Sequence, residues 1–195
     1  MTIENKDPPG EDAEQGKRLS LDGKATVNMG ACSRGGHTRG EHQARDHALG
    51  CKAKSSPCGI VDADTAQLSV IFGRAFKTSD VIVETLAAWW QGLSATEHDE
   101  IDRVQSKRDN GSASRGVRTP LLPRMVQCAA TIGKPLHLLY DPPSHSKDNP
   151  IARCWGMMEW HGHGAQRIEV ETMLAWAKRM TWQGLQPVVE LSRKV

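Results

Sequence analysis

Cations that could lie along phosphates crowd one part of this chain of 195 residues. Arg34, His37, Arg39, His42, Arg45, Lys52 and Lys54 stand among glycines with little apolar periodicity. Such a segment can follow a nucleic-acid backbone, as lysines and arginines do when they fix a protein's register on a duplex. It can equally be a solvated loop. Two carboxylates have distinctive settings: Asp22 within an apolar, strand-like stretch, and Asp109 at the head of Asp-Asn-Gly. On local sequence alone Asp22 reads as an edge or turn residue and Asp109 as a turn former.

Other reactive groups point to less. Eight histidines include His161 and His163, two apart, but no second pair of Cys or His lies at zinc-like spacing, so exposed loop histidines are expected. The five cysteines, at 32, 51, 58, 128 and 154, are odd in number and contain no Cys-x-x-Cys pair. That argues against a disulfide framework and a zinc ribbon, and for reduced thiols in the cytoplasm. Six tryptophans could stack on bases, yet most fall at helix-buried spacing and are expected as core anchors.

The net charge of +2, from 25 basic and 23 acidic side chains, creates no overall field for a polyanion. DNA affinity would have to come from local patches. No run of about 18 apolar residues is present, so no membrane span is expected. One core fits this length.

The elements that must position these groups follow from local pattern. Residues 1–18 are rich in acids and poor in large apolar side chains, and are expected to be a disordered leader before a domain spanning 19–195. Leu21, Ala25, Val27 and Met29 alternate as in a strand or bent strand pair. Residues 32–57 read as a long basic connection, and 59–71 as a hairpin turning at Asp62 to Thr65. Ile82, Leu86, Trp89, Trp90 and Leu93 recur at helical steps. Further helices are expected over 120–132, from Pro150, and over 170–180, with a strand at LHLLY between the first two. A strand through Val104 to Asp109 fits poorly, because VQSKRD has one apolar residue where a central strand has several. Hairpin strands followed by alternating helices and strands describe an α/β domain with a mixed sheet.

The segment PPSHSKDNPIARCWG, Pro142 to Gly156, resembles one from bacterial insertion-sequence DDE transposases of the Rhodopirellula-type family. There the pattern reads PP, two or three residues, SK, one residue, NPIE, then RCWG. In the same order as the family, LDGKATVNMG with SRGGHTRG, CGIVDADTAQLSVIFG, TSDVIVETLAAWW, RDNGSASRGVRT and MTWQGLQPVVEL are similar to its strands, long helix, second-Asp turn and C-terminal region. The resemblance covers most of the chain. It implies a ribonuclease H-like mixed sheet flanked by helices. It also implies that Asp22 and Asp109 occupy the first two positions of a catalytic acid triad that binds Mg²⁺ or Mn²⁺ and cleaves and joins DNA strands.

The third position departs from the family, since Ala152 stands where the Glu is expected. Removing one of few carboxylate ligands should weaken the two-metal site severely. The resemblance therefore implies a transposase-derived protein impaired in catalysis. Its alternatives are a non-enzymatic DNA-binding remnant and a decayed, poorly folding product. Asp148, four residues before Ala152, and Glu159, seven after, are the nearby acids that would have to substitute, unless a partner subunit supplies one. DNA is the implied partner, with Arg34, Arg39 and Lys147 as candidate phosphate contacts, and a second copy of the chain is a further candidate. Asn149 is expected to cap the helix that follows. Nothing before Asp22 offers the helix-turn-helix that family members carry upstream, so the chain reads as N-terminally truncated.

Overall fold

The structure, a computed structural model, describes residues 3–4, 16–24, 27–30, 51–73, 79–108, 115–140, 149–161 and 170–192. In chain order these form β1 (Ile3–Glu4), β2 (Gly16–Gly23), β3 (Val27–Gly30), β4 (Cys51–Asp62), β5 (Leu68–Gly73), α1 (Ser79–Gln91), α2 (Ala95–Glu100) and β6 (Arg103–Arg108). There follow α3 (Arg115–Ile132), β7 (Leu136–Tyr140), α4 (Pro150–His161), α5 (Val170–Lys178) and β8 (Val188–Leu191). The eight strands join one mixed sheet in the order β1-β7-β6-β2-β4-β5-β8, with β3 paired to β4. The expected leader holds β1 and the first three residues of β2, and the rest of it lies outside the described residues.

Strand β2 is the hinge of this topology. It pairs antiparallel with β4 on one side, Asp22 opposite Gly59, and parallel with β6 on the other, Ser20 opposite Lys107. Strand β4 turns into β5 through Asp62, and these two strands pair antiparallel as a hairpin. The Asp62 carboxylate accepts from the Asp64 and Thr65 amides at 2.9 and 3.3 Å and pairs with Lys17 at 2.8 Å.

Successive side chains of a strand point to opposite faces, and two cores result. On one face Leu19, Leu21, Cys58 and Ile60 pack with Ile82 and Leu86 of α1 and Leu121 and Met125 of α3. On the other, Val61, Val70 and Phe72 pack with Ile151, Trp155 and Met158 of α4 and Met173 and Trp176 of α5. Of the tryptophans, Trp89, Trp155, Trp176 and Trp182 are buried core anchors, whereas Trp160 is 77% exposed on α4.

The structure departs from several expectations. Strand β4 starts at Cys51, inside the segment expected as a connection. Its polar start is held by pairing: β3 flanks Cys51 to Ser55, the Ser55 hydroxyl donates to Gly73 O at 2.8 Å, and Pro57 offers its carbonyl to the Lys24 amide at 2.8 Å. Strand β6 forms despite its composition, because it lies between β2 and β7 and both ladders satisfy its backbone. Gln105, Ser106 and Arg108 are buried there, and the Ser106 hydroxyl has no hydrogen-bond partner among the described residues. Helix α3 begins at Arg115, ahead of the expected Pro120.

Helix α2 has no counterpart in the sequence expectations, although Ser94 and Glu97 form a capping box. The Ser94 hydroxyl accepts from the Glu97 amide at 3.3 Å, and the Glu97 carboxylate accepts from the Ser94 amide at 2.7 Å. The Ser94 hydroxyl, then the Ser94 amide, hold the Glu97 carboxyl below its usual value. His98 stacks on Trp90 at 4.3 Å, which returns α2 to the end of α1.

Where α4 crosses the sheet, the only side chain that leaves it room is hydrogen. A Cβ on Gly59 would stand 2.8 Å from Trp155 Cη2 and 3.0 Å from Ile151 Cδ1. Overpacking of this kind costs about 1–3 kcal/mol. Gly59→Ala should lower the urea midpoint accordingly with an unchanged slope, and Gly59→Val should lower it further.

Candidate functional site

The site grows from one face of β2. Leu19 and Leu21 point into the α1–α3 core, so Ser20, Asp22 and Lys24 point the other way, toward α4. Gly59 confirms the direction for Asp22, its antiparallel partner, because the Cβ vector of Gly59 runs into Ile151 and Trp155 of α4.

Ser20 and Lys24 attach this row to the helix at two levels. The Ser20 hydroxyl donates to Asn149 Oδ1 and accepts from the Ile151 amide at 3.1 Å, with Ser20 and Asn149 2% and 1% exposed. A strand hydroxyl thus satisfies an amide in the first turn of α4, a donor that the helix itself leaves unbonded. Sequence alone points to Asn149 for capping; for the Ile151 amide the acceptor is Ser20. Further on, Lys24 Nζ pairs with Glu159 Oε1 at 2.8 Å, donates to Trp155 O at 3.3 Å and lies 5.9 Å from the centre of the Trp155 ring. Asp22 sits between the two attachments.

Side chains advance about 100° per residue around an α-helix, which places Ala152 on the same flank as Glu159, beside the Ile151–Trp155 stripe. Cys154 and Met158 take the opposite flank and are buried with α5. Since Glu159 reaches Lys24, the residue that follows β2, the flank that carries Ala152 is the one turned to this strand. Ala152 is two turns nearer the start of the helix, about 10 Å along the axis from Glu159. Ala152 directly follows Ile151, whose amide Ser20 holds, and Asp22 is two residues beyond Ser20 on β2.

The ion pair of Lys24 with Glu159 brings two opposite charges to this place. Among the described residues no group of three His, Cys, Asp or Glu is placed to hold a metal ion. The nearby thiol offers no nucleophile: burial pushes Cys154 up to about 12, and Cys128 is raised for the same reason.

Of the residues singled out in the sequence, Asp22 lies in β2 and Ala152 in α4, and the fold brings these two elements together. Asp109, Arg34, Arg39, Lys147 and Asp148 lie outside the described residues, as does His163. Glu159 is engaged by Lys24. His161 ends α4 and is no loop histidine: its ring stacks on Trp176 at 5.6 Å and its Nε2 lies 3.2 Å from Trp176 O. Ser20 and Lys24 are the residues that sequence reasoning misses. Lys24, two positions from Asp22 and so on its face of the strand, carries a periodicity signal; Ser20 carries none that names its partners.

A family model described as Rhodopirellula transposase DDE domain matches residues 3–195. Among curated proteins no match is found. Among solved structures, the chain is similar to the Mos1 transposase paired-end complex with left transposon end, at 13% identity and a TM-score of 0.56 over 85% of this chain and 47% of that one. It is also similar to a pre-cleavage Mos1 transpososome, at 14% identity and a TM-score of 0.55 over 82% and 46%. The chain thus spans about half the length of those it matches, 47% and 46%. Likeness at this identity is one of fold: α/β, ribonuclease H-like, a mixed sheet with helices on both faces.

The docking of α4 makes Ser20 a buried hydrogen-bonding centre, and Ser20→Ala leaves two buried polar partners without it. Stability should fall by about 1–3 kcal/mol, read as a lower urea midpoint. Thr96→Ala, on the exposed face of α2, should stay within about 0.5 kcal/mol of the unaltered chain.

Proposed function

The chain belongs to the Rhodopirellula transposase DDE domain family, and from that premise we propose that it is a transposase-derived DNA strand-transfer domain that lacks its third acid. What supports this reading is the attachment of α4, which carries Ala152, to Ser20 and Lys24 on either side of Asp22. A Glu side chain at 152 would project toward the Asp22 carboxylate. The methyl group of Ala152 offers no donor.

Asp109 completes the proposed cluster. β2 and β6 run parallel with Ser20 opposite Lys107, and Asp22 and Asp109 each follow two residues later in sequence. DNA is the proposed partner, with Arg34, Arg39 and Lys147 as phosphate contacts; the Mos1 structures described above include a complex with a transposon end.

Members of the family are expected to use Mg²⁺ or Mn²⁺ held by carboxylate oxygens. The residues present fit such a pair in part only: Asp22, with Asp109 by proposal, supplies oxygen, and position 152 supplies none. Hard cations bind oxygen ligands and at these sites use few protein carboxylates, so no step of strand cleavage is assigned to metal in this chain. Glu159 does not repair the set, being about 10 Å along the helix from Ala152 and paired with Lys24. Groups that act as a unit lose several orders of magnitude in rate when one is removed, and impaired cleavage follows.

Supercoiled plasmid incubated with Mn²⁺ or Mg²⁺ tests the reading. The unaltered chain should leave it intact, Ala152→Glu should nick it at least about tenfold faster, and Asp22→Asn in the Ala152→Glu chain should abolish the gain. Nicking by the unaltered chain at the rate of Ala152→Glu would overturn the proposed impairment.

A further inference from the structure

Lys24 stands out in the described surface around β2 and α4. Its side chain is 10% exposed, unusual for a lysine, and it is held from three directions. Its backbone amide donates to Pro57 O at 2.8 Å, and its ammonium meets both the Glu159 carboxylate and the Trp155 carbonyl and stands 5.9 Å from the centre of the Trp155 ring. The anchored backbone fixes where the stem begins, and the two acceptors fix where it ends.

Those two acceptors lie on α4, one turn apart. Ser20 grips the first turn of the helix and Lys24 grips its middle, and two attachments at different levels define both the position and the rotation of a rod, which one attachment does not. Ala152 lies between the two, so its direction depends on both.

We propose that Lys24 is a positioning residue, which with Glu159 as its anchor sets the rotation of α4 so that position 152 faces Asp22. This inference rests on the reading that position 152 belongs to the acid cluster. It assigns Glu159 a task other than metal binding: the carboxylate anchors the ammonium, and it balances a positive charge that would otherwise stand close to Asp22 and oppose any bound cation.

The sign of an effect on metal affinity separates positioning from plain charge. In the Ala152→Glu chain, Lys24→Met keeps an unbranched side chain and removes the ammonium. If Lys24 acts only as a nearby cation, its loss should tighten Mn²⁺ binding. If it positions the helix, its loss should weaken Mn²⁺ binding, by about tenfold or more as for other residues that orient metal ligands. Lys24→Arg, which retains a cation and donors, should restore most of the affinity. Glu159→Gln should weaken it as well, and the Lys24→Met/Glu159→Gln pair should do no worse than the more damaging single change.

Isothermal titration with Mn²⁺ measures these affinities directly. Unchanged or tighter binding by Lys24→Met would overturn the positioning role. Failure of Ala152→Glu itself to bind Mn²⁺ more tightly than the unaltered chain would instead overturn the reading of position 152. A second measurement holds in the unaltered chain: Lys24→Met should speed amide hydrogen exchange across 150–161 relative to α1, and equal exchange in the two chains would also overturn the proposal.

Discussion

The placement of α4 on β2 is the constraint on which the rest of the site depends. A helix lying over a sheet through apolar contacts alone has freedom to slide and turn by a fraction of a residue, since hydrophobic attraction is non-directional. Hydrogen bonds remove that freedom. Ser20 shares its hydroxyl between Asn149 and Ile151, and Lys24 holds Glu159 and Trp155 O. Gly59 complements them by letting Trp155 and Ile151 descend onto the strand that carries the partner of Asp22. Close approach, rotation and level are therefore set by Ser20 and Gly59 on two adjacent strands and by Lys24 just past the end of β2.

Much of this fold is legible in the amino-acid sequence, and the remainder is hidden for physical reasons. The paired apolar runs on either side of Asp62 announce a hairpin, and the three- and four-residue steps of α1 announce a helix, because each pattern is local. Ser20 bonds to residues 129 and 131 positions away, and no local pattern reports such a partner. The polarity of β6 argues against a central strand, yet a strand between two parallel neighbours has both edges of its backbone satisfied and tolerates Gln105 and Ser106. The α2 helix has its signal in Ser94 and Glu97, but six residues carry too little periodicity to make it stand out. Of the proposed acid positions, Asp22 and Ala152 owe their recognition to the family motif, and the structure adds the face on which each one sits.

The proposed loss of an acid at position 152 would leave the scaffold standing. The core on the α4–α5 face of the sheet takes Ile151, Cys154, Trp155 and Met158 from α4, and Ala152 is not among its buried residues. A Glu-to-Ala change there removes a charge without opening a cavity, so selection on folding would not oppose it. The ion pair of Lys24 with Glu159 persists independently of position 152. Under the proposed function, chemistry at this place and stability of the fold are in this way separable, and a single substitution is expected to restore the one without disturbing the other.

A crystal structure of the Ala152→Glu chain soaked with Mn²⁺, read from anomalous density, bears most directly on the facing of β2 and α4. The arrangement described here predicts a Mn²⁺ peak bound by the Asp22 carboxylate and the carboxylate introduced at 152. Density showing these two carboxylates turned to different solvent regions, with no ion between them, would contradict it.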